Sequence, residues 1–189
     1  MNQLKTQSAV VYTEAEESPI AGEELGRQIA DRFGADAPDA VILFISPRYD
    51  VSALVGSLQK WCGQALIVGC SSAGEFTDKT QGTGKACAVA LRSGEIRFVA
   101  GIGRGISASR KQAAEAMVKD FRCGQENANE YCTALILTDA LAGHADELIE
   151  ELTLTTGGSH HIFGGRPGRT RTLRPPPVFP APATPNTPP

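Results

Sequence analysis

Between Ser8 and Gly165, short apolar, β-branched runs alternate with longer amphipathic stretches, the pattern of strands covered by helices. Seven strands and four helices follow from it. The first strand is predicted over Ser8–Tyr12. A helix follows from Pro19 to Phe33, with Ser18 as its N-cap and Ile20, Leu25, Ile29 and Phe33 along one face. Asp39–Ile45 reads D-A-V-I-L-F-I, so apolar that it predicts a central strand buried on both faces. Asp50 suits the cap of a second helix whose Val51, Leu54, Leu58 and Trp61 point inward, and Ala65–Cys70 is a second central strand.

Lys85–Leu91 and Glu95–Gly101 flank Arg92-Ser93-Gly94, which predicts a hairpin and therefore a mixed sheet. Ser107 is expected to cap a third helix reaching Arg122, with Ala113, Met117 and Phe121 inward. A strand over Tyr131–Leu137, a helix over Gly143–Thr155 and a short strand over His160–Phe163 complete the series. The expected class is α/β: a mixed, largely parallel sheet with helices packed on it, in one domain over residues 1–165.

The pattern stops after Gly165. Residues 166–189 hold nine of the twelve prolines, four arginines and no acid, a composition that makes neither a helix nor a central strand. This tail is expected to be disordered. Its P-x-x-P spacing at Pro177 and Pro180 is also that of a polyproline ligand. Arg, Pro, Thr and Ala are what shifted GC-rich codons produce, so out-of-frame translation or a truncation is the expected origin.

Charge divides at the same point. Up to residue 165 the chain has 14 Lys and Arg against 21 acidic residues, and no basic stripe, which argues against nucleic acid or an anionic membrane as partner. The start, Met1 to Ser8, is polar and no apolar run is long enough to cross a bilayer, so a cytoplasmic chain is expected. Five widely spaced cysteines without a C-x-x-C pair are expected to be reduced thiols, Cys87 and Cys132 as core packing, with no metal site.

Candidate chemistry lies in the loops that follow strands, because open α/β sheets bind ligands beyond the carboxyl ends of their parallel strands. The loops after the predicted strands carry Ser46, Arg48 and Tyr49; Cys70, Ser71, Ser72, Gly74 and Glu75; Thr138 and Asp139; and Phe163-Gly164-Gly165. In Gly69-Cys70-Ser71-Ser72-Ala73-Gly74 the small side chains let backbone N–H groups approach a ligand, with Glu75 to receive an amine or hydroxyl. The same residues also suit a tight turn that merely packs closely. Arg48 suits a carboxylate clamp or a surface ion pair with Asp50.

Other motifs fail on detail. G-C-S-S-A-G lacks the second glycine position of a nucleophile elbow, and Gly82-Thr83-Gly84-Lys85 and Gly101-Ile102-Gly103-Arg104-Gly105 lack the context of phosphate loops. A hydrolase using Ser71 or Cys70 with His144 and Asp139 is one alternative, and a haem sensor using His144, His160 or His161 is another. Adjacent in a strand, His160 and His161 point to opposite faces and do not share an ion.

In order, V-I-L-F-I-S-P-R-Y-D, I-V-G-C-S-S-A-G-E-F, L-I-L-T-D-A-L-A-G-H and H-I-F-G-G resemble the FIST N-terminal domain of bacterial intracellular signal-transduction proteins, over Val10 to Gly165. The resemblance implies a sensory domain that binds a small ligand such as an amino acid, haem being suggested for some members. It implies no catalysis and no obligatory cofactor. It also implies a signalling partner such as a sensor kinase or cyclase. In such proteins the I-F-G-G strand runs on into more sheet, so the domain is expected to be incomplete where the arginine- and proline-rich tail begins.

Overall fold

The computed structural model describes residues 6–34, 36–77, 81–121, 123, 131–138, 145–165 and 178–180. Among these residues it is α/β, with four helices, a mixed sheet and a separate parallel pair of strands. The chain divides into two compact units, Met1–Phe98 with Gly168–Pro189, and Val99–Pro167. No helix among the described residues is long and apolar enough to cross a membrane.

The first unit is built on a five-stranded sheet. In chain order its elements are β1 (Gln7–Thr13), α1 (Ser18–Phe33), β2 (Ala40–Ile45), α2 (Val51–Cys62), β3 (Leu66–Ser71), the short antiparallel pair β4 (Glu75–Phe76) and β5 (Gln81–Gly82), and β6 (Ala86–Arg92). The sheet order is β1-β6-β2-β3, closed at its outer edge by β9 (Val178–Pro180). β2 and β3 pair in parallel, while β6 lies antiparallel between β1 and β2. Because β6 is inserted against the grain, β1, β2 and β3 all run the same way.

Alternation along the strands explains how the helices sit. Val41, Leu43 and Ile45 are fully buried with Val11, Ile67 and Ala88, and they pack with Leu25 and Ile29 of α1 and Leu54 and Leu58 of α2. Ile42 and Phe44, on the opposite side of β2, are half-buried. The expectation that β2 is buried on both faces is therefore corrected: its period is two, and only one face carries the full core. Asp50 caps α2 as expected, its carboxylate accepting from Ala53 N at 2.8 Å. Ser18 does not cap α1; Glu17 holds that position, and the Ser18 hydroxyl accepts from Asp50 N at 2.9 Å, tying the starts of the two helices together. Gly22 is where they cross most closely, since a Cβ there would lie 2.1 Å from the Leu54 carbonyl oxygen. Ile20 and Trp61 sit at the margins of their helix stripes rather than in the core, and both remain exposed.

The predicted hairpin after β6 does not form. β6 has β1 on one side and β2 on the other, so it offers no edge to a returning strand. Ser93 turns the chain away: its N–H donates to Asp39 Oδ2 at 2.7 Å, and its hydroxyl accepts from the N–H groups of Glu95 and Ile96. Residues 95–101 consequently form no strand among the described residues, and Ile96 and Val99 are exposed.

The second unit contains α3 (Arg110–Val118), β7 (Cys132–Leu137), α4 (Ala145–Thr155) and β8 (His160–Gly165). β7 and β8 are parallel and joined through α4, the connection that parallel strands require. Leu148 and Leu152 of α4 pack with Ala114 of α3 and Ala134 and Ile136 of β7. α3 is shorter than expected and starts later, with Ser109 rather than Ser107 as its cap, accepting from Gln112 N at 3.2 Å. Gly101 and Gly103 are explained here: a Cβ on either would strike the carbonyl oxygens of Met117 or Ala113 on α3, at 1.8 and 2.2 Å. They are contact glycines, not a phosphate loop.

The tail expected to be disordered lies outside the described residues except at β9, where Val68↔Pro180, Gly69↔Phe179 and Cys70↔Val178 are in register. An edge is where a strand tolerates proline. The cysteine expectation is corrected in part. Cys62, Cys70 and Cys87 are free thiols, but Cys123 and Cys132 form a disulfide with their Cα atoms 6.0 Å apart, so Cys132 is not core packing.

Candidate functional site

Since β1, β2 and β3 run in one direction, the loops leaving them meet at one end of the sheet. That end is where α/β sheets place ligands. β2 runs into Ser46-Pro47-Arg48-Tyr49-Asp50, a turn in which Tyr49 N–H donates to Ser46 O at 3.1 Å and Asp50 goes on to cap α2. Ser46 is buried, its N–H donates to the Lys85 carbonyl at 2.9 Å, and its hydroxyl accepts from Arg48 N. The Tyr49 ring is buried and its hydroxyl donates to the Ala15 carbonyl at 2.6 Å. Arg48 lies across that ring, its guanidinium carbon 4.8 Å from the centroid, and Nη2 donates to the Tyr49 hydroxyl and to the Ala15 carbonyl, each at 3.0 Å. The turn after β2 is thus locked to the turn after β1.

The loop after β3 is locked from the other side. Glu75 is only 5% exposed, yet both carboxylate oxygens are engaged: Oε1 accepts from the Ser72 hydroxyl and Oε2 accepts from Lys85 N at 2.9 Å. Ser72 N in turn donates to the Ile45 carbonyl at 2.8 Å. A buried carboxylate is tolerated when charge-assisted hydrogen bonds replace its water, and these two do so. Its charge is felt nearby. Burial, and then the Glu75 carboxylate, push the Cys87 thiol up to about 11. The ammonium of Lys85 pairs with Glu14, so both signs of charge stand at this end of the sheet.

The structure therefore brings Ser46, Arg48, Tyr49, Ser72 and Glu75 into one hydrogen-bonded cluster, with Gly74 exposed in the same loop. Ser71 and Cys70 are buried at the end of β3. The Ser71 hydroxyl has no hydrogen-bond partner among the described residues, and burial pushes the Cys70 thiol up to about 11. Thr138 lies in the second unit, where its N–H donates to the Gly165 carbonyl at 3.3 Å. Asp139 and His144 lie outside the described residues.

Sequence reading missed Glu14, Ala15 and Lys85. The signal was present: the rule that selected the loops after β2 and β3 selects the loop after β1 equally. A cleft of about 200 Å³ elsewhere in the unit is lined by Val10, Tyr12, Gln28, Asp31, Arg32 and Thr77 and includes none of the cluster.

A family model for the FIST N domain matches residues 39–174 of the 189. The chain belongs to the FIST N domain family. Its match runs from the start of β2 through the loops that carry Arg48 and Glu75 and on past β8. FIST domains are a sensory, non-catalytic domain family of signal transduction. Neither a curated relative nor a solved structure matches the chain.

Proposed function

We propose that this FIST domain senses a small zwitterion, an amino acid, at the end of the sheet where β1, β2 and β3 terminate. The observation that carries this reading is the fixed cluster of opposite charges there: Arg48 held on Tyr49, and Lys85 paired with Glu14. A free α-carboxylate suits Arg48 and Lys85, and an α-ammonium suits Glu14, which exchanges its Lys85 partner for the ligand's amine. The Ser72–Glu75 brace holds the Ala73-Gly74 backbone in place beside them, at no ordering cost when the ligand arrives. Binding biases the domain's contact with a signalling partner such as a sensor kinase or cyclase in the cytoplasm, through the difference in affinity between two states.

A thermal-shift screen of the free amino acids tests the proposal. At about 100 times its dissociation constant a true ligand stabilises the fold by about 2.7 kcal/mol. Arg48→Ala and Glu14→Gln each abolish the shift without moving the unliganded midpoint by more than a few degrees. A screen in which no amino acid shifts the midpoint overturns the reading.

A further inference from the structure

The disulfide of the second unit does not stand alone. Cys132 opens β7 and His160 opens β8, and the parallel register pairs the two residues directly, so their side chains leave the same face at the same level. Cys123 approaches from the turn beyond α3. The two sulfurs and one ring nitrogen of His160 all lie within 4.8 Å of one another, and all three residues are half-buried. Sequence reading passed over the set because the cysteines are not in a C-x-x-C pair and the third member comes from a different strand.

The histidine is oriented as a metal ligand is. The Ser159 hydroxyl donates its single proton to the Thr156 carbonyl at 2.7 Å, so its contact with His160 Nδ1 at 2.9 Å is one in which Nδ1–H donates. That leaves Nε2 with the lone pair, and the ring is held through its other nitrogen, the arrangement that fixes ligating histidines. Phe121 packs on the ring with centroids 5.7 Å apart.

We propose that Cys123, Cys132 and His160 form a redox-switched zinc site: the reduced thiols and the imidazole hold one Zn²⁺, and oxidation of the two sulfurs to the disulfide releases it. Two thiolates and one imidazole are a common zinc ligand set, with the fourth tetrahedral position left to water. Tetrahedral zinc at its usual bond lengths separates two thiolate sulfurs by about 3.8 Å, a small opening from the disulfide that a Cα separation of 6.0 Å accommodates. Zinc binding displaces one proton from each thiol.

The oxidant is a peroxide. One thiolate attacks a peroxide oxygen, the O–O bond breaks, and a sulfenic acid and hydroxide form. The second thiolate then attacks the sulfenic sulfur, forming the S–S bond and expelling the second hydroxide. Two protons from solvent convert the hydroxides to water, and two electrons have passed from sulfur to peroxide. A small-molecule dithiol reverses the change by exchange, becoming a disulfide itself as the chain's two thiols return.

The test uses the full chain, reduced and freed of reductant. Cobalt titration is expected to give tetrahedral visible bands and a thiolate-to-metal charge-transfer band saturating at one metal per chain, bleached by zinc. One equivalent of hydrogen peroxide releases the zinc to a chromophoric chelator and yields the Cys123–Cys132 linked peptide. Cys123→Ser, checked by circular dichroism to retain the fold, loses the charge-transfer intensity of one thiolate, and His160→Ala weakens zinc affinity at least about tenfold. Full cobalt spectra in a Cys123→Ser/Cys132→Ser variant would place the metal on Cys62, Cys70 or Cys87 and overturn the proposal. A reduced chain that binds no metal also overturns it, as does zinc affinity unchanged by His160→Ala.

Discussion

Glu75 shows how one buried charge organises the loops around it. Its two oxygens take the Ser72 hydroxyl and the Lys85 N–H, so they join the loop after β3 to the start of β6. Removing the carboxylate strands both donors in a region with little water. Hydrogen bonds to a charged group contribute about 1.5–3 kcal/mol, so Glu75→Ala is expected to destabilise the unit by about 2–4 kcal/mol in urea denaturation. Glu75→Gln can accept from Lys85 N through its carbonyl and donate its amide N–H to the Ser72 oxygen, so it loses the charge but strands neither partner, and should cost about half as much. Equal losses in the two variants would mean that shape, not acceptance, is what the position supplies. Glu75 was recognisable in the sequence from its place after a run of small residues. What was not legible is that the loop itself uses both oxygens, because Lys85 lies ten residues on and is brought back by the β4–β5 pairing of Glu75 with Gly82.

At the scale of elements, helix periodicity located α1 and α2 within a residue or two but said nothing of how closely they cross. Gly22 and Gly56 look alike in sequence, each a glycine inside a helix, where alanine is favoured by about 1 kcal/mol. Their surroundings differ. A Cβ on Gly22 collides with the Leu54 carbonyl, whereas one on Gly56 meets nothing within 4 Å. Gly56→Ala is therefore expected to stabilise the chain by about 0.5–1 kcal/mol, and Gly22→Ala to destabilise it by about 1–3 kcal/mol as the helices are forced apart. Chemical denaturation of the two variants side by side checks the signs. The false hairpin after β6 has a related cause: the alternation of Ile96, Phe98 and Ala100 is strand-like, but a strand needs a free edge, and strand order is not written in periodicity.

For the molecule as a whole, a regular strand–helix alternation reads as one sheet, yet the chain forms two units, each with its own strands and core. The division falls where β6 has both edges taken and the chain must leave the sheet. The far edge is a different matter. β3 carries Val68, Gly69 and Cys70 at the outside of the five-stranded sheet, and β9 covers that edge with only three residues. An uncovered edge offers a row of backbone donors and acceptors to another chain, and proline is one of the devices that blunt it. β9 supplies cover and blunting together, since it ends in Pro180, whose nitrogen has no hydrogen to donate. A chain truncated after residue 177 should therefore self-associate where the full chain does not, because β3 then pairs with β3 of a second copy. Light scattering coupled to size exclusion at matched concentrations measures this. Replacing Gly69 in the truncated chain with lysine does not isolate the edge, because a Cβ there strikes the Leu43 carbonyl at 1.9 Å. Val68→Pro does not isolate it either, because Leu66 N and Ser72 N donate to the Asp39 and Ile45 carbonyls on the β2 side and Val68, in phase with them, turns its N–H the same way; the comparison of the two chains' masses is therefore the test. If the truncated chain and the full chain elute with the same mass, β9 is not what keeps β3 from pairing, and the tail's place in the register has no protective role.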